Sequence, residues 1–144
     1  MLPSRLVVAA LLLAAPAAPA LAAATILYPG VVLQALDKVT ARTTILTLEL
    51  DRPVQYGSLT IVARTCLETP PTEPPESAAF LEITSTEPGK PAKAEFTGWM
   101  LASSPALSAL EHPVYDVWVL DCSGEAAGSQ PEALEAPEPT TSSP

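Results

Sequence analysis

The side chains that could carry chemistry lie mostly in two places. Ser103, Ser104, His112 and Asp116 supply a hydroxyl, an imidazole and a carboxylate, the parts of a nucleophilic triad. The surrounding sequence gives that reading little help. No Gly-x-Ser-x-Gly elbow presents a serine. Ser104 precedes Pro105, the N-cap and first-turn combination that satisfies an orphan N–H and pre-sets the helical φ. His112, the single histidine, stands between a helix end and Pro113, where an imidazole often bonds a backbone carbonyl. A hydrolase using Ser104 and His112 is therefore a minor alternative, and no catalytic residue is assigned. The acidic residues lack the Asp-x-Asp-x-Asp-Gly spacing of a calcium loop, and one histidine with two cysteines makes a poor transition-metal set. No glycine-rich loop could cradle a phosphate, so neither metal nor cofactor is expected.

The second place is Glu68–Glu76, ETPPTEPPE, with four prolines and three carboxylates in nine residues. Such a run favours a stiff, extended polyproline II path that cannot join a sheet. It reads either as a rigid connector beginning just beyond Cys66 or as a recognition loop, because a pre-stiffened segment loses little entropy on binding.

The elements that must position these residues follow from composition and pattern. The chain has 144 residues, 16 acidic against 7 basic side chains, and a formal net charge of −9, which argues against a nucleic-acid partner. Residues 1–24 show a short polar lead with Arg5, an apolar run from Leu6 to Ala15, then prolines and alanines. This is the three-zone pattern of a cleavable secretory signal, with Ala20-Leu21-Ala22 placing the cut after Ala22 and Ala22-Ala23-Ala24 as the alternative. The apolar run is shorter than the ~20 residues of a bilayer span. The expected organisation is a signal peptide over 1–22, a lead over 23–30, a β-domain over 31–122 and an acidic, disordered tail over 123–144. That tail carries four glutamates, no basic residue and a single leucine, too little apolar surface to offset its ordering entropy.

Within the domain, Leu46, Leu48 and Leu50 alternate with Ile45, Thr47 and Glu49, and Leu59, Ile61 and Ala63 alternate with Thr60, Val62 and Arg64. This is the period-2 signature of half-buried strands. Val31–Asp37, Ala78–Thr84, Ala94–Leu101 and Val114–Asp121 are further candidates, each fenced by Pro, Gly or charge. Six to seven short strands predict an all-β fold, a small antiparallel sandwich or barrel. Val114–Leu120 is apolar on both parities, which predicts a central strand with Trp118 in the core. Phe96 and Trp99 have opposite parity, so one faces inward and the other a rim or partner surface. Ser104–Glu111, with Leu107 and Leu110 at i, i+3, predicts one or two helical turns.

Cys66 and Cys122 each end a strand. In an exported protein two cysteines predict an intramolecular disulfide, and closing a loop of that length stabilises by roughly 4 kcal/mol in the chain-entropy model. Strict alternation places Cys66 on the Arg64 face rather than the Ile61 face, so bridging calls for a bulge or an edge location.

The stretches ALDKVTART (Ala35–Thr43), YGSLTIVARTC (Tyr56–Cys66), TPPTEPPESAAFLEI (Thr69–Ile83) and FTGWMLASSPALSALEHPVYDVWVLDC (Phe96–Cys122) resemble the secreted bacterial proteins grouped as domain of unknown function 2155. The likeness covers about residues 31–122. It implies an envelope-exported protein of Gram-negative bacteria without an established activity. One departure is Ala41, where the resemblance implies glycine. The resulting expectation is a periplasmic, non-catalytic binding or interaction module of the cell envelope, with an accessory structural role as the alternative. Its expected surface comprises Glu68, Glu73, Glu76, Trp99, Ser104 and His112, and its expected partner is an envelope protein.

Overall fold

The computed structural model describes residues 25–127. Its strands are β1 (Ile26–Tyr28), β2 (Gly30–Asp37), β3 (Arg42–Glu49), β4 (Val54–Tyr56), β5 (Leu59–Glu68), β6 (Ser77–Ser85), β7 (Lys93–Leu101) and β8 (Tyr115–Ser123), with one 3-10 turn at Pro105–Ser108. Every pairing is antiparallel. One sheet has the order β1-β5-β6-β7, with β4 also paired to β5, and the other has the order β3-β2-β8. Their inner faces share one core, built from Leu59, Ile61, Leu81 and Ile83 on one side and Val31, Leu33, Leu48, Val117 and Val119 on the other. The fold is all-β, a sandwich, and its eight described strands exceed the expected six to seven. The extra two, β1 and β4, are three residues each, too short for a period-2 pattern to register.

The described strands reach beyond residues 31–122 on both sides. β1 falls within the lead over 23–30, Ser123 completes β8, and the Ala127 N–H donates to the Leu27 carbonyl at 2.8 Å. The signal over 1–22 and the remainder of the acidic tail lie outside the described residues. The chain passes from β1 in one sheet to β2 in the other through Pro29-Gly30. At Gly30 a Cβ would lie 2.8 Å from the Leu48 carbonyl oxygen, so this crossing requires glycine.

The anticipated bulge is present in β5. Leu59, Ile61 and Ala63 are fully buried, the pairing with β6 shifts between Ala63 and Thr65, and Cys66 is then fully buried as well. One extra residue resets the parity and turns the cysteine inward. Arg64 at the bulge is left outside, where its guanidinium reaches Asp51 and Glu82 at 2.8 Å each.

Three expectations are corrected. β8 is an edge strand and β2 is central, with Val31, Leu33 and Ala35 fully buried. Trp118 is half-buried on the outer face, outside the core, beside Pro105, Ala106 and Ala109. The second apolar parity of β8 is thus partly covered by the segment preceding it rather than by a neighbouring strand. That segment is a four-residue 3-10 turn rather than one or two turns of helix over Ser104–Glu111. Ser104 sits at its N-cap without a side-chain capping bond, and Ala109 is already extended, so Leu107 is exposed while Leu110 is buried.

In the turn joining β2 to β3, the Asp37 carboxylate accepts the N–H groups of Val39 and Thr40 at 2.9 and 3.1 Å. The Thr40 N–H, with a smaller contribution from Val39, holds the Asp37 pKa below its ordinary value. Ala41 follows with φ of 54°, the left-handed region. The side chain where the resemblance implied glycine therefore occupies a glycine conformation, which costs a non-glycine residue roughly 1–2 kcal/mol. Ala41→Gly should leave stability unchanged or raise it by up to about 1 kcal/mol, after the larger backbone entropy of unfolded glycine is counted. A lowered urea midpoint at unchanged m would contradict this.

Candidate functional site

At one end of the sandwich β5, β6, β7 and β8 are tied together. Cys66 of β5 and Cys122 of β8 form a disulfide across the two sheets, with Cα atoms 5.7 Å apart. Glu68 Oε1 accepts the Cys122 N–H at 3.3 Å. The same carboxylate accepts the Tyr28 hydroxyl, which raises the tyrosine pKa by stabilising its protonated form. Ser77 Oγ donates to Asp121 Oδ1 at 3.1 Å. Glu76 takes both the N–H of Ser103, at 3.1 Å to Oε1, and the Ser103 hydroxyl on Oε2. Three carboxylates at this end are thus acceptors within the fold.

The proline segment is not an extended path. Thr69 N–H donates to the Glu76 carbonyl at 3.0 Å, Thr69 Oγ1 bonds both the Pro74 carbonyl and the Glu76 N–H, and the Glu73 N–H closes a turn on Pro70 at 2.9 Å. Its first residue still belongs to the β5–β6 ladder, where Glu68 pairs with Ser77. Prolines pre-set φ for a closed turn as readily as for an extended helix, and the Thr69 hydroxyl selects the turn. Glu73 and its neighbours Pro71–Pro75 are exposed at the tip. The loop therefore offers one outward carboxylate, Glu73, while Glu68 and Glu76 serve the fold.

Beside this loop, the outer face of the larger sheet carries an apolar patch. Cross-strand register aligns Leu27, Leu67, Ala78 and Leu101 in one row across all four strands. In the next row Phe80 lies opposite Trp99, edge to face, with centroids 5.6 Å apart. Leu27 and Trp99 are each 43% exposed. The parity question on β7 is thereby answered: Phe96 packs against the core and Trp99 faces outward. Further along the same face, the Arg64 guanidinium holds the Glu82 carboxyl below its ordinary range.

Ser104 and His112 are not brought together. Ser104 follows β7 at the disulfide end, where its hydroxyl neighbours Ser103 Oγ at 3.4 Å. His112 precedes β8, near the opposite end. There its buried Nδ1 accepts the N–H groups of Val114 and Tyr115 at 3.2 and 3.1 Å, and its ring stacks on Tyr115. Asp116 accepts its neighbour Val117 N–H at 3.0 Å. Of the residues expected on the surface, the structure gathers Glu68, Glu73, Glu76, Ser104 and Trp99 toward one end, and places His112 inside the fold at the other. Sequence reasoning missed Leu27, Phe80 and Leu101, whose adjacency depends on strand order. Among the described residues no group of three or more histidine, cysteine or carboxylate side chains could hold a metal ion, and no helix is long and apolar enough to cross a membrane.

The model of a family described as an uncharacterized protein conserved in bacteria (DUF2155) matches residues 31–122. The chain belongs to this family. It is also 28% identical over 88 residues to the uncharacterized protein RP359 of Rickettsia prowazekii (strain Madrid E). That match covers 61% of the chain and 57% of the relative, so the chain spans little more than half the length of the curated protein it matches. No solved structure matches the chain. The DUF2155 span runs from Val31 of β2 to Cys122 of β8, taking in both cysteines, the proline loop and Trp99 but not β1, which supplies Leu27 and Tyr28.

Proposed function

We propose that this DUF2155 protein is an exported, periplasmic, non-catalytic interaction module of the bacterial cell envelope. It docks an envelope protein on the outer face around Trp99, with Glu73 at the rim. The observation that carries this reading is the half-exposed Trp99, held edge to face on Phe80 beside the apolar row Leu27–Leu67–Ala78–Leu101 that crosses four strands. Aromatic side chains held rigidly on a sheet bind with little entropy loss, and tryptophan is enriched among the residues that dominate interfaces. The disulfide-tied end beside it supplies a preformed frame, and Glu73 supplies charge for orientation and salt sensitivity. Export is supported by the three-zone start of the sequence and by a cross-sheet disulfide, a bond that persists in oxidising compartments.

The test is chemical crosslinking in the periplasm followed by mass spectrometry, comparing the native chain with Trp99→Ala. A partner adduct should fall at least about tenfold, as for truncation of an interface anchor, while the melting temperature stays within a few degrees. An undiminished adduct would remove the Trp99 face from the binding reaction. An envelope-integrity defect on deletion, with no direct adduct, would favour the accessory structural role instead.

A further inference from the structure

We propose that β3 is a self-pairing edge through which two copies of this chain join their three-stranded sheets into one six-stranded sheet. β3 is eight residues long and lies at the open side of the order β3-β2-β8. The Leu50 N–H donates to the Pro29 carbonyl at 3.0 Å, and the β2–β3 register runs in step with that pair through Leu48–Val31, Leu46–Leu33 and Thr44–Ala35. In an antiparallel ladder hydrogen-bonded pairs alternate with unbonded ones. The N–H and C=O groups of Thr43, Ile45 and Thr47 therefore point away from β2, toward the free edge. All three residues are exposed, and Ile45 is 56% so.

Edge strands usually carry devices that discourage pairing: shortness, bulges, proline, or charge in mid-strand. The other edges here have them. β1 and β4 are three residues each, while β7 and β8 both have shifted registers against their neighbours. β3 has none. Its pairing with β2 is unbroken, it contains no proline, and its charges, Arg42 and Glu49, stand only at its ends.

The strand is also self-complementary. A two-fold axis perpendicular to the sheet preserves which face each side chain occupies, so residues of like parity must meet. With Ile45 opposite Ile45 of the second copy, Thr43 meets Thr47 in both directions, and every outward N–H and C=O of the three residues is paired. A register one step further along would need the Glu49 carbonyl, which already accepts the Arg52 N–H. In the favoured register Arg42 falls opposite Leu48 and Glu49 opposite Ala41 of the second copy, so no like charges meet across the seam. That register also extends the outer row Trp118–Gln34–Ile45 continuously into its symmetry mate. A closed, isologous dimer results, because each edge is used once.

Sedimentation equilibrium of the mature chain with Ile45→Lys and Ile45→Glu variants tests this independently of the Trp99 face. The native chain should dimerise, and each variant should weaken the dimer at least about tenfold by placing like charges directly opposite, with melting temperature unchanged. Mixing the two variants should restore dimers, since lysine then faces glutamate. A monomeric native chain, variants that dimerise undiminished, or a mixture that stays monomeric would each overturn the proposal. If the native chain is monomeric but Ile45→Lys loses a crosslinked envelope protein, the edge serves a foreign strand instead.

Discussion

Replacing Cys66 and Cys122 together by alanine should lower the unfolding free energy by about 4 kcal/mol, because the bond closes a sequence separation of 56 residues. For a domain of this size that corresponds to a fall in melting temperature of about 15–30 °C. The bond joins β5 of one sheet to β8 of the other at the end where each sheet's chain continues into a loop or terminus. Its loss also loosens the frame that holds the Glu68 bond to Cys122 N–H and the Ser77–Asp121 pair. Denaturant titration of oxidised, reduced and double-alanine forms would measure the effect. A difference under about 1 kcal/mol would mean that the reduced chain retains structure that already brings the two cysteines close.

The second large effect is expected at His112. Its Nδ1 accepts two backbone N–H groups, and its ring stacks on Tyr115 with centroids 5.4 Å apart. His112→Ala would leave the Val114 and Tyr115 donors without that acceptor in a part-buried setting and remove the stacked ring, a combined cost of about 2–4 kcal/mol. His112→Asn places an amide oxygen near the Nδ1 position and should recover at least half of that loss. Thermal melts of the three proteins decide it. Equal losses in both variants would locate the histidine's role in its ring alone, and no loss in either would contradict the structural assignment. Since Ser104 stands near the other end of the domain, these losses are expected to appear in stability.

How much of this was legible in the sequence depended on whether the signal was local. Two of the six longer strands were readable because their apolar residues alternate and the other four because Pro, Gly or charge fences each run, while the parity of Cys66 left a bulge as one of two ways to reach its partner. β1 and β4 were not, being too short to show a period. Trp118 misled for a physical reason: an edge strand can be apolar on both parities when a neighbouring non-strand segment covers its outer face, and local pattern does not distinguish that cover from another strand. The proline loop misled because proline fixes φ but leaves ψ to the surroundings, and the Thr69 hydroxyl bends it into a turn. The Trp99 surface was half-legible. Parity raised the choice between Phe96 and Trp99, but the patch exists only through pairings of β1, β5, β6 and β7, a strand order that the sequence does not display.

The measurement closest to the central claim is a scan with a photoreactive amino acid installed singly at Leu27, Glu73, Trp99, Thr60 and Glu111, irradiated in cells and resolved by mass spectrometry. Leu27, Glu73 and Trp99 lie on or beside the apolar patch, Thr60 lies on the same sheet toward its far end, and Glu111 adjoins the buried histidine. A common envelope protein captured from the first three positions and not from the last two is the predicted result. Capture of that protein equally from all five positions, or from Thr60 and Glu111 alone, would contradict it.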